Sequence, residues 1–353
     1  MKGLTISEID KNFEVKSENY KDTRYFDALD EPFSLYGVFY ENGAYRRLPE
    51  SVAKEVSVGV HALHTHTAGG RIRFVTDSPY ISVLAKYSSV GKMPHFALTG
   101  SAGFDLYENT ESGEVYVKTF IPQFGITDTL DSTIPLQSSA LRSFTINFPL
   151  YSSLSKVYIG VKEGSRIEKA DSYAIEKPIV YYGSSITQGG CASRPGLSYQ
   201  SIISRAIDAN YVNLGFSGNA KAEEAISDYI SGLDMSLFVY DYDHNAPSVE
   251  HLEKTHLPMI MKIRKSNPDL PIIILPRPKY TLDKTEKQRF EIIKATYDYM
   301  LSLGDKNVYM LDGKALMALA ENEGTVDNCH PNDLGFFSVA SALIPLINDI
   351  FFS

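Results

Sequence analysis

The stretch that decides the fold runs from Pro178 to Gly190 and reads PIVYYGSSITQGG. Its first five residues form a short, mostly apolar run, which is typical of a strand buried on both faces. Glycines and serines follow at once and predict a tight loop. Beyond the loop, apolar side chains recur at helical spacing, at Tyr199, Ile202, Ile203 and Ala206. The stretch therefore predicts a strand, a loop and a helix in succession.

The same unit recurs through the second half of the chain. Further apolar runs at 211–214, 236–240, 271–275 and 307–311 alternate with helical patterns around 225–230, 252–263, 290–300 and from about 334. This alternation favours a parallel sheet with right-handed crossovers. Ligands of such sheets bind beyond the carboxyl ends of the strands. We therefore expect functional residues in the loops that follow Tyr182, Leu214, Tyr240 and Leu275.

The first half, to about residue 175, has a different pattern. Polar and apolar residues alternate there in short runs, at 71–75, 80–84, 114–118, 144–148 and 156–160. A period of two indicates half-buried strands, and strands at this spacing favour a jelly-roll-like β-sandwich. At 353 residues the chain also exceeds the usual size of one hydrophobic core. The sequence thus predicts an all-β sandwich over residues 1–175 and an α/β domain over residues 176–353.

Charge and composition limit the partners that we expect. The net charge of −9 disfavours binding to nucleic acid or to an anionic membrane. No segment approaches the ~18 continuous apolar residues that cross a bilayer, so no membrane partner is expected. The start of the chain lacks the apolar core and cleavage site of a secretory leader, which favours the cytoplasm. A secreted protein trimmed of its leader would look the same.

Two stretches carry the residue types of nucleophilic catalysis. Ser185 lies between a predicted strand and a predicted helix, where free N–H groups of the turn surround its hydroxyl. Asp327 comes three residues before His330, just ahead of the last predicted helix. A carboxylate at this spacing can hydrogen-bond the imidazole and fix its tautomer, which prepares the ring to accept a proton. The alternative interpretations are a turn serine and a helix-capping or core histidine.

Four loops together resemble the four sequence blocks of the SGNH (GDSL-like) hydrolase superfamily. They are Gly183–Thr187, Gly215–Gly218, Asp243–Asn245 and Asp327–Pro331. The resemblance implies that Ser185 is the nucleophile and that His330, supported by Asp327, is its base. It also implies an oxyanion hole made by the N–H groups of Ser185 and Gly218 and by the Asn245 amide. The alternatives are a tight turn at Gly218 and an Asx-turn at Asn245.

Two blocks depart from the family pattern. Ser184 stands where the family has an aspartate that is not the triad acid, so we expect little effect on catalysis. The block around Asn245 lacks the glycine before it and the aspartate after it. The variants GSSIT and DYDHNAP resemble a subgroup with an N-terminal β-sandwich. Membership implies a flavodoxin-like, three-layer α/β/α catalytic domain.

The resemblance also implies an activity. It is that of a serine esterase acting through an acyl-enzyme on small acyl esters, above all acetyl esters of carbohydrates, without metal or cofactor. An acyltransferase with the same triad is the first alternative, and a non-catalytic carbohydrate-binding protein is the second. The chain contains no Gly-x-Ser-x-Gly elbow, which disfavours an ordinary α/β-hydrolase.

Four further residues flank the predicted site. Arg194 and Tyr280 lie in neighbouring loops, where they either line a substrate rim or are ordinary surface residues. Asp243 and His244 are expected to support the site and not to bind a metal, since no third ligand with suitable spacing accompanies them.

Two pairs of possible metal or redox residues remain. His64 and His66 are expected on one face of a strand, where a plain strand face is favoured over a metal site. Cys191 follows the first loop and Cys329 precedes His330, so both lie near the predicted pocket. They form either a disulfide or two thiols, and a cytoplasmic location favours thiols.

Overall fold

A computed structural model of the protein describes residues 20–352. Up to residue 168 the strands are β1 (Thr23–Asp27), β2 (Ser34–Tyr36), β3 (Phe39–Glu41), β4 (Ala44–Arg46), β5 (Arg71–Thr76), β6 (Tyr80–Ser89), β7 (Phe104–Thr110), β8 (Gly113–Phe120), β9 (Thr129–Pro135), β10 (Arg142–Asn147), β11 (Ser153–Lys162) and β12 (Ile167–Glu168). One antiparallel sheet has the order β1-β11-β6-β9, and the other has the order β12-β5-β10-β7-β8, with β2 also paired to β5. Strands β3 and β4 form a separate hairpin.

The two antiparallel sheets share one apolar core. Ile81 and Val83 of β6 and Ile72 and Phe74 of β5 belong to it, at alternate positions as the period of two requires. The runs that predicted strands fall on β5, β6, β8, β10 and β11. The predicted β-sandwich is therefore confirmed.

Three short helices interrupt the all-β pattern: α1 (Glu50–Val56), α2 (Val58–Leu63) and α3 (Leu98–Ser101). His64 caps the C-terminal end of α2, so the prediction that His64 and His66 share a strand face is wrong. The Ser57 hydroxyl accepts a hydrogen bond from the N–H of Val60 at 3.1 Å and starts the helix. This local cap outweighs the alternating pattern. His66 instead places its Nδ1 3.1 Å from Nε2 of Gln188, in the loop that carries Ser185.

The second half alternates strands and helices. The strands are β13 (Ile175–Gly183), β14 (Ala209–Gly215), β15 (Leu237–Asp241), β16 (Ile272–Ile274) and β17 (Val308–Met310). The α-helices are α4 (Ser185–Gln188), α5 (Tyr199–Ile207), α6 (Glu224–Ser231), α7 (Val249–Ser266), α8 (Lys284–Ser302), α9 (Gly313–Leu316) and α10 (Asp333–Phe352), and the 3₁₀-helices are Pro195–Leu197, Asp243–Asn245 and Glu321–Glu323.

All five strands of this sheet are parallel, in the order β14-β13-β15-β16-β17. This is the flavodoxin-like order. Two apolar cores flank the sheet: alternate residues of β13 enter different ones, Val180 and Tyr182 the first and Ile179 and Tyr181 the second. The predicted three-layer α/β/α fold is confirmed.

The order of the strands changes direction at β13. From this central strand the chain passes to β14 on one side and then to β15 on the other, and the ends Gly183, Gly215 and Asp241 lie in register. Two glycines, Gly183 and Gly215, permit the strand ends and the loops after them to approach each other closely. A Cβ atom on Gly183 would lie 2.0 Å from the carbonyl oxygen of Asp241, and one on Gly215 would lie 2.2 Å from the backbone nitrogen of Gln188. The loops after these strands therefore meet at one edge of the sheet.

The last helix, α10, has a higher mean hydropathy than the search for continuous apolar runs indicated. Among the described residues it is the one helix long and apolar enough to cross a membrane, with a mean hydropathy of 1.7. Ser338, Ser341 and Asp349 interrupt its apolar run, so this helix still lacks the ~18 continuous apolar residues considered in the sequence. Phe336, Val339, Leu343 and Ile347 are buried in the core beside β13. This buried face makes α10 part of a helical layer of the α/β fold.

Two buried arginines from the sandwich half cover the free edge of β14. Arg47 donates to the carbonyl oxygens of Asn213 at 3.0 Å and Gly215 at 2.6 Å, and Arg71 donates to that of Tyr211 at 3.3 Å. Both side chains are almost wholly buried. Because an uncovered strand edge is open to pairing with another chain, these hydrogen bonds protect the sheet. They also hold the strand that leads to Gly218.

Arg47→Met should lower the free energy of unfolding by about 2–5 kcal/mol, because it leaves buried carbonyl groups without a donor. Urea unfolding measures the change. Arg166→Met is the control: its side chain is 60% exposed in an ion pair with Glu168, and such pairs contribute about 0–1 kcal/mol. A loss for Arg47→Met no greater than that for the control would contradict the proposed edge contact.

Candidate active site

Ser185 is presented by a tight turn at the end of the central strand. It is the first residue of α4, and the Ser184 hydroxyl caps this helix by accepting a hydrogen bond from Ile186 N–H at 3.1 Å. Serine at position 184 thus performs the capping for which an aspartate is also suited. Gly189, with φ of 95°, closes the short helix in the left-handed region. At a first helical position the Ser185 N–H has no acceptor within the helix, which leaves it available as a donor.

His330 joins Ser185 to Asp327 through two hydrogen bonds. Its Nε2 lies 2.9 Å from Oγ of Ser185, and its Nδ1 lies 2.7 Å from Oδ2 of Asp327. A carboxylate only accepts, so Nδ1 carries the proton and Nε2 presents its lone pair to the hydroxyl. The sequence-predicted nucleophile, base and acid are thus brought together, in the geometry that activates a hydroxyl for attack.

The turn that carries Asp327 keeps its carboxylate ionised. Oδ1 accepts the backbone N–H groups of Cys329 at 3.0 Å and His330 at 2.7 Å. Asn328 permits this turn by adopting a φ of 65°. Burial alone raises the pKa of Asp327, but the hydrogen bonds and charge of His330 outweigh burial and hold that pKa below its usual value.

Gly218 and Asn245, the other two predicted oxyanion donors, come from the loops after β14 and β15. Gly218 has a φ of 69°, and apart from its chain neighbours no heavy atom of the described residues lies within 4 Å of where its Cβ would be, so it borders open space. One N–H of the Asn245 amide donates to the carbonyl oxygen of Phe216 at 2.8 Å. This bond ties the two loops together and leaves a second N–H of the amide for a ligand.

Asp243 anchors the 3₁₀-helix that carries Asn245. It is buried, and its carboxylate accepts hydrogen bonds from Nε of Arg277 at 2.8 Å and from Nε of Arg289 at 2.7 Å. Arg289 also donates to the carbonyl oxygen of Ala246 at 3.0 Å. Burial alone raises the pKa of Asp243, but Arg277 above all lowers it well below the usual range. The paired arginines leave Asp243 with a positioning role.

The two cysteines are separate thiols in this structure. Cys191 is buried, whereas Cys329 places its Sγ 3.6 Å from Nδ1 of His244. Burial raises the pKa of both thiols. Burial, followed by the charge of Arg277, lowers the pKa of His244 to about 4, so this imidazole is neutral at pH 7.

The predicted rim residues have partners within the protein. Nη1 of Arg194 lies 3.1 Å from the buried carboxylate of Asp105 in β7, and its guanidinium stacks 3.8 Å from the ring centroid of Tyr116 in β8. Arg194 therefore joins the two halves of the chain. Tyr280 is half-buried, with the Lys314 ammonium 5.1 Å from its ring centroid. Contact of either residue with a substrate stays a prediction.

Two residues of the sandwich half reach the site, and sequence reasoning missed both. The Tyr151 hydroxyl donates to the carbonyl oxygen of Ser185 at 3.1 Å. His95 places its Nε2 4.0 Å from Oδ2 of Asp327, with its ring 5.7 Å from that of His330. Both residues lie in loops between strands, where no periodicity singles them out. Only the packing of the two halves reveals them.

Asp241, at the end of β15, is a buried carboxylate beneath the nucleophile turn. Its Oδ2 accepts the Thr187 hydroxyl at 2.8 Å, while Oδ1 contacts no hydrogen-bond donor among the described residues. Burial raises the pKa of Asp241 to about 7. The ordinary pKa of an aspartate is 3.8. Between pH 3.8 and about pH 7, the folded protein therefore keeps the Asp241 carboxyl protonated, whereas the unfolded chain releases this proton. Folding therefore becomes less favourable as the pH rises through this window.

Asp241→Asn should remove this pH dependence, because an amide fills the same space without titrating. Relative to wild type, the variant should gain stability between pH 4 and pH 8, by up to about 4 kcal/mol. Urea unfolding across this range measures the difference. Asp234→Asn, at a side chain 83% exposed, is the matched control and should show little of this trend. Equal trends in the two variants would refute the buried-carboxylate interpretation.

Comparisons with known proteins match both halves of the chain. A model of the GDSL-like lipase/acylhydrolase family matches residues 176–348. A second family model, GxDLY, which describes the N-terminus of SGNH-hydrolase-type esterases, matches residues 23–167. The pattern in its name occurs here at 103–107, GFDLY, so the Asp105 that binds Arg194 is the aspartate of this pattern. None of the curated proteins searched matches the chain.

Solved structures share the fold over almost the whole chain. A protein from Bacteroides ovatus described as a GDSL-like lipase is 29% identical, with a TM-score of 0.84 over 93% of this chain and 98% of its own. A salicylyl-acyltransferase from a tetracycline biosynthetic pathway is 19% identical, with a TM-score of 0.75 over 94% and 98%. A family two carbohydrate esterase from Cellvibrio japonicus is 12% identical, with a TM-score of 0.60 over 93% and 98%.

Both family models and the shared two-part fold lead to one assignment. The chain belongs to the SGNH (GDSL-like) hydrolase superfamily, in the group with an N-terminal β-sandwich, and is a carboxylic ester hydrolase.

Proposed function

We propose that the protein is a serine esterase that removes small acyl groups, above all acetyl, from carbohydrate esters, with Ser185 as nucleophile, His330 as base and Asp327 as supporting acid. The observation that carries this proposal is the unbroken chain of hydrogen bonds from the Ser185 hydroxyl through the imidazole to the carboxylate. The hydroxyl already lies within hydrogen-bond distance of the nitrogen that accepts its proton.

The reaction begins when Oγ of Ser185 attacks the ester carbonyl and its proton passes to Nε2 of His330. Asp327 stabilises the imidazolium that forms, and Nδ1–H keeps its hydrogen bond to the carboxylate. The proton on Nε2 then passes to the leaving alcohol as the tetrahedral intermediate collapses to an acyl-enzyme. In the second half, Nε2 takes a proton from water as its oxygen adds to the acyl carbon. The second tetrahedral intermediate then collapses to the free acid, and the proton on Nε2 returns to Oγ of Ser185.

The negative oxygen of each tetrahedral intermediate needs donors that are already in place. The N–H groups of Ser185 and Gly218 and the amide of Asn245 serve as these donors in the proposal. Asn245 is held by its bond to Phe216 and, through the backbone, by the buried Asp243. Such preorganisation matters because donors that need no reorganisation stabilise developing charge most effectively.

The carbohydrate part of the proposal is supported by two observations. The family two carbohydrate esterase shares the fold over 93% of the chain. In addition, the net charge of −9 favours a neutral substrate such as an acylated sugar over an anionic lipid. The acyltransferase remains the second candidate, because the salicylyl-acyltransferase shares the fold over 94% of the chain and the same triad would serve.

Ser185→Ala should reduce hydrolysis of a chromogenic acetate ester by at least about 10³-fold, because it removes the attacking atom. Asn245→Ala should reduce kcat by about 10²–10³-fold through the loss of one oxyanion donor. Ser112→Ala is the matched control, since this exposed serine lies in the sandwich half. Equal rates for wild type and Ser185→Ala would refute the esterase proposal and favour a non-catalytic binding protein.

The same assay, extended to acetylated sugars with sugar alcohols as acceptors, separates the two enzymatic candidates. A hydrolase releases free acid at a rate that the acceptor hardly changes. Formation of a new ester faster than release of acid would establish the transferase instead.

A further inference from the structure

Three side chains with metal-binding atoms meet beside the proposed base. They are His95 from the loop before α3, Cys191 from the turn after α4, and His330. One nitrogen or sulfur atom of each lies within 4.8 Å of the others. The two halves of the chain thus bring two imidazoles and one thiol to one point.

The donor set selects the kind of metal. Imidazole and thiolate suit zinc and similar transition metals, whereas magnesium and calcium prefer oxygen. Zinc binds nitrogen at about 2.0–2.1 Å and sulfur at about 2.3 Å in a tetrahedron, so its ligand atoms lie roughly 3.5 Å apart. To bind zinc, the three donor atoms have to move toward one another by at most about 1.3 Å, from 4.8 Å to the roughly 3.5 Å between ligand atoms of a zinc site. The side chain of His95 is 42% exposed and has room for this movement.

The nitrogen that His330 offers to a metal is Nε2. Asp327 occupies Nδ1 at 2.7 Å, and within residues 20–352 the hydrogen-bond partner of Nε2 is the Ser185 hydroxyl at 2.9 Å. The turn that carries Cys191 lies against this side of the ring, because a Cβ on Gly190 would be 3.4 Å from Cδ2 of His330. The His330 side chain is 24% exposed, so an ion in solution can reach it.

We propose that His95, Cys191 and His330 bind one Zn²⁺ ion that reversibly inhibits the enzyme; the inhibition, though not the binding, rests on the proposed role of His330 as base. Zinc takes the Nε2 lone pair that otherwise accepts the Ser185 proton. The Cys191 thiol releases its proton to solvent and binds as thiolate, and His95 binds through a neutral imidazole nitrogen. Water completes the tetrahedron, and no electron is transferred.

The charges near the three donors suit a cation. Asp327 Oδ2 lies 4.0 Å from Nε2 of His95 and partly balances the charge of the ion.

Binding is tested on the full chain carrying Ser185→Ala, stripped of metal by a chelator and titrated with ZnCl₂ in a calorimeter. One ion should bind per chain. Adding His95→Gln or Cys191→Ser should each weaken binding at least about tenfold, since even the outer partners of metal ligands contribute about 10–100-fold. Cys329→Ser is the matched control, because this thiol neighbours His330 but lies outside the cluster. Titration with CdCl₂ should produce thiolate-to-metal absorption that Cys191→Ser abolishes and Cys329→Ser retains.

Inhibition is tested on chains with Ser185 intact, and each variant is compared with its own zinc-free rate. Zinc should stop hydrolysis of the acetate ester, and excess EDTA should restore it. The zinc concentration for half inhibition should rise at least about tenfold in His95→Gln and stay unchanged in Cys329→Ser. Because His95 is exposed, this variant tests the site without disturbing the core.

The two sets of measurements separate the metal site from the proposed function. If the Ser185→Ala chain binds no zinc, or if His95→Gln and Cys191→Ser bind it as tightly as the control, the metal site is refuted whatever the hydrolysis assay shows. If zinc binds through the cluster but the wild-type chain hydrolyses no ester, the metal site stands and the proposed function fails.

Discussion

The activity proposed for this protein depends on one hydrogen bond, the 2.9 Å contact between Oγ of Ser185 and Nε2 of His330. It joins residues that lie 145 positions apart in the chain. A displacement of about 1 Å at either end would cost a large part of the rate, because proton transfer and attack require the reacting atoms to be aligned. Much of the surrounding structure holds these two side chains in place.

Two carboxylates, one exposed and one buried, hold the loops around that bond. On one side, Asp327 receives two backbone N–H groups and the imidazole, so the turn and the ring are fixed together. On another, Asp243 is held by Arg277 and Arg289 under the loop of Asn245. A buried charge such as Asp243 is costly unless it is fully paired, so the loop that it anchors has one favourable arrangement. Anchored loops are the requirement for an oxyanion hole that does not reorganise.

The sandwich half contributes residues to the site and contacts the loops that form it. Arg47 covers the edge of β14, and the buried Asp105 binds Arg194 in the segment that follows the nucleophile turn. Tyr151 donates to the backbone of Ser185, and His95 lies over the Asp327 carboxylate. Separation of the two halves would therefore disturb the turn that carries Ser185. It would also remove the imidazole that the proposed zinc site needs.

The sequence by itself determined the class of each half and pointed to the candidate residues of the site. Period-two alternation predicted the sandwich, and repeated strand, loop and helix units predicted the parallel sheet, because both patterns arise from local burial. The spacing of Asp327 and His330 determined their contact, since a three-residue turn brings them together. The resemblance of four loops to a known family then identified Ser185, Gly218 and Asn245 as candidates.

Only the tertiary structure decided how the halves meet and which further residues join the site. The sequence predicted a strand at His64 and His66, where a serine cap starts a helix, and it did not anticipate the apolarity of α10. It left open whether Cys191 and Cys329 form a disulfide, and the structure has two thiols. His95, Tyr151 and Arg47 carry no local signal, because their partners lie far away in the chain. Such contacts follow from the packing of one domain against another, which no short sequence pattern records.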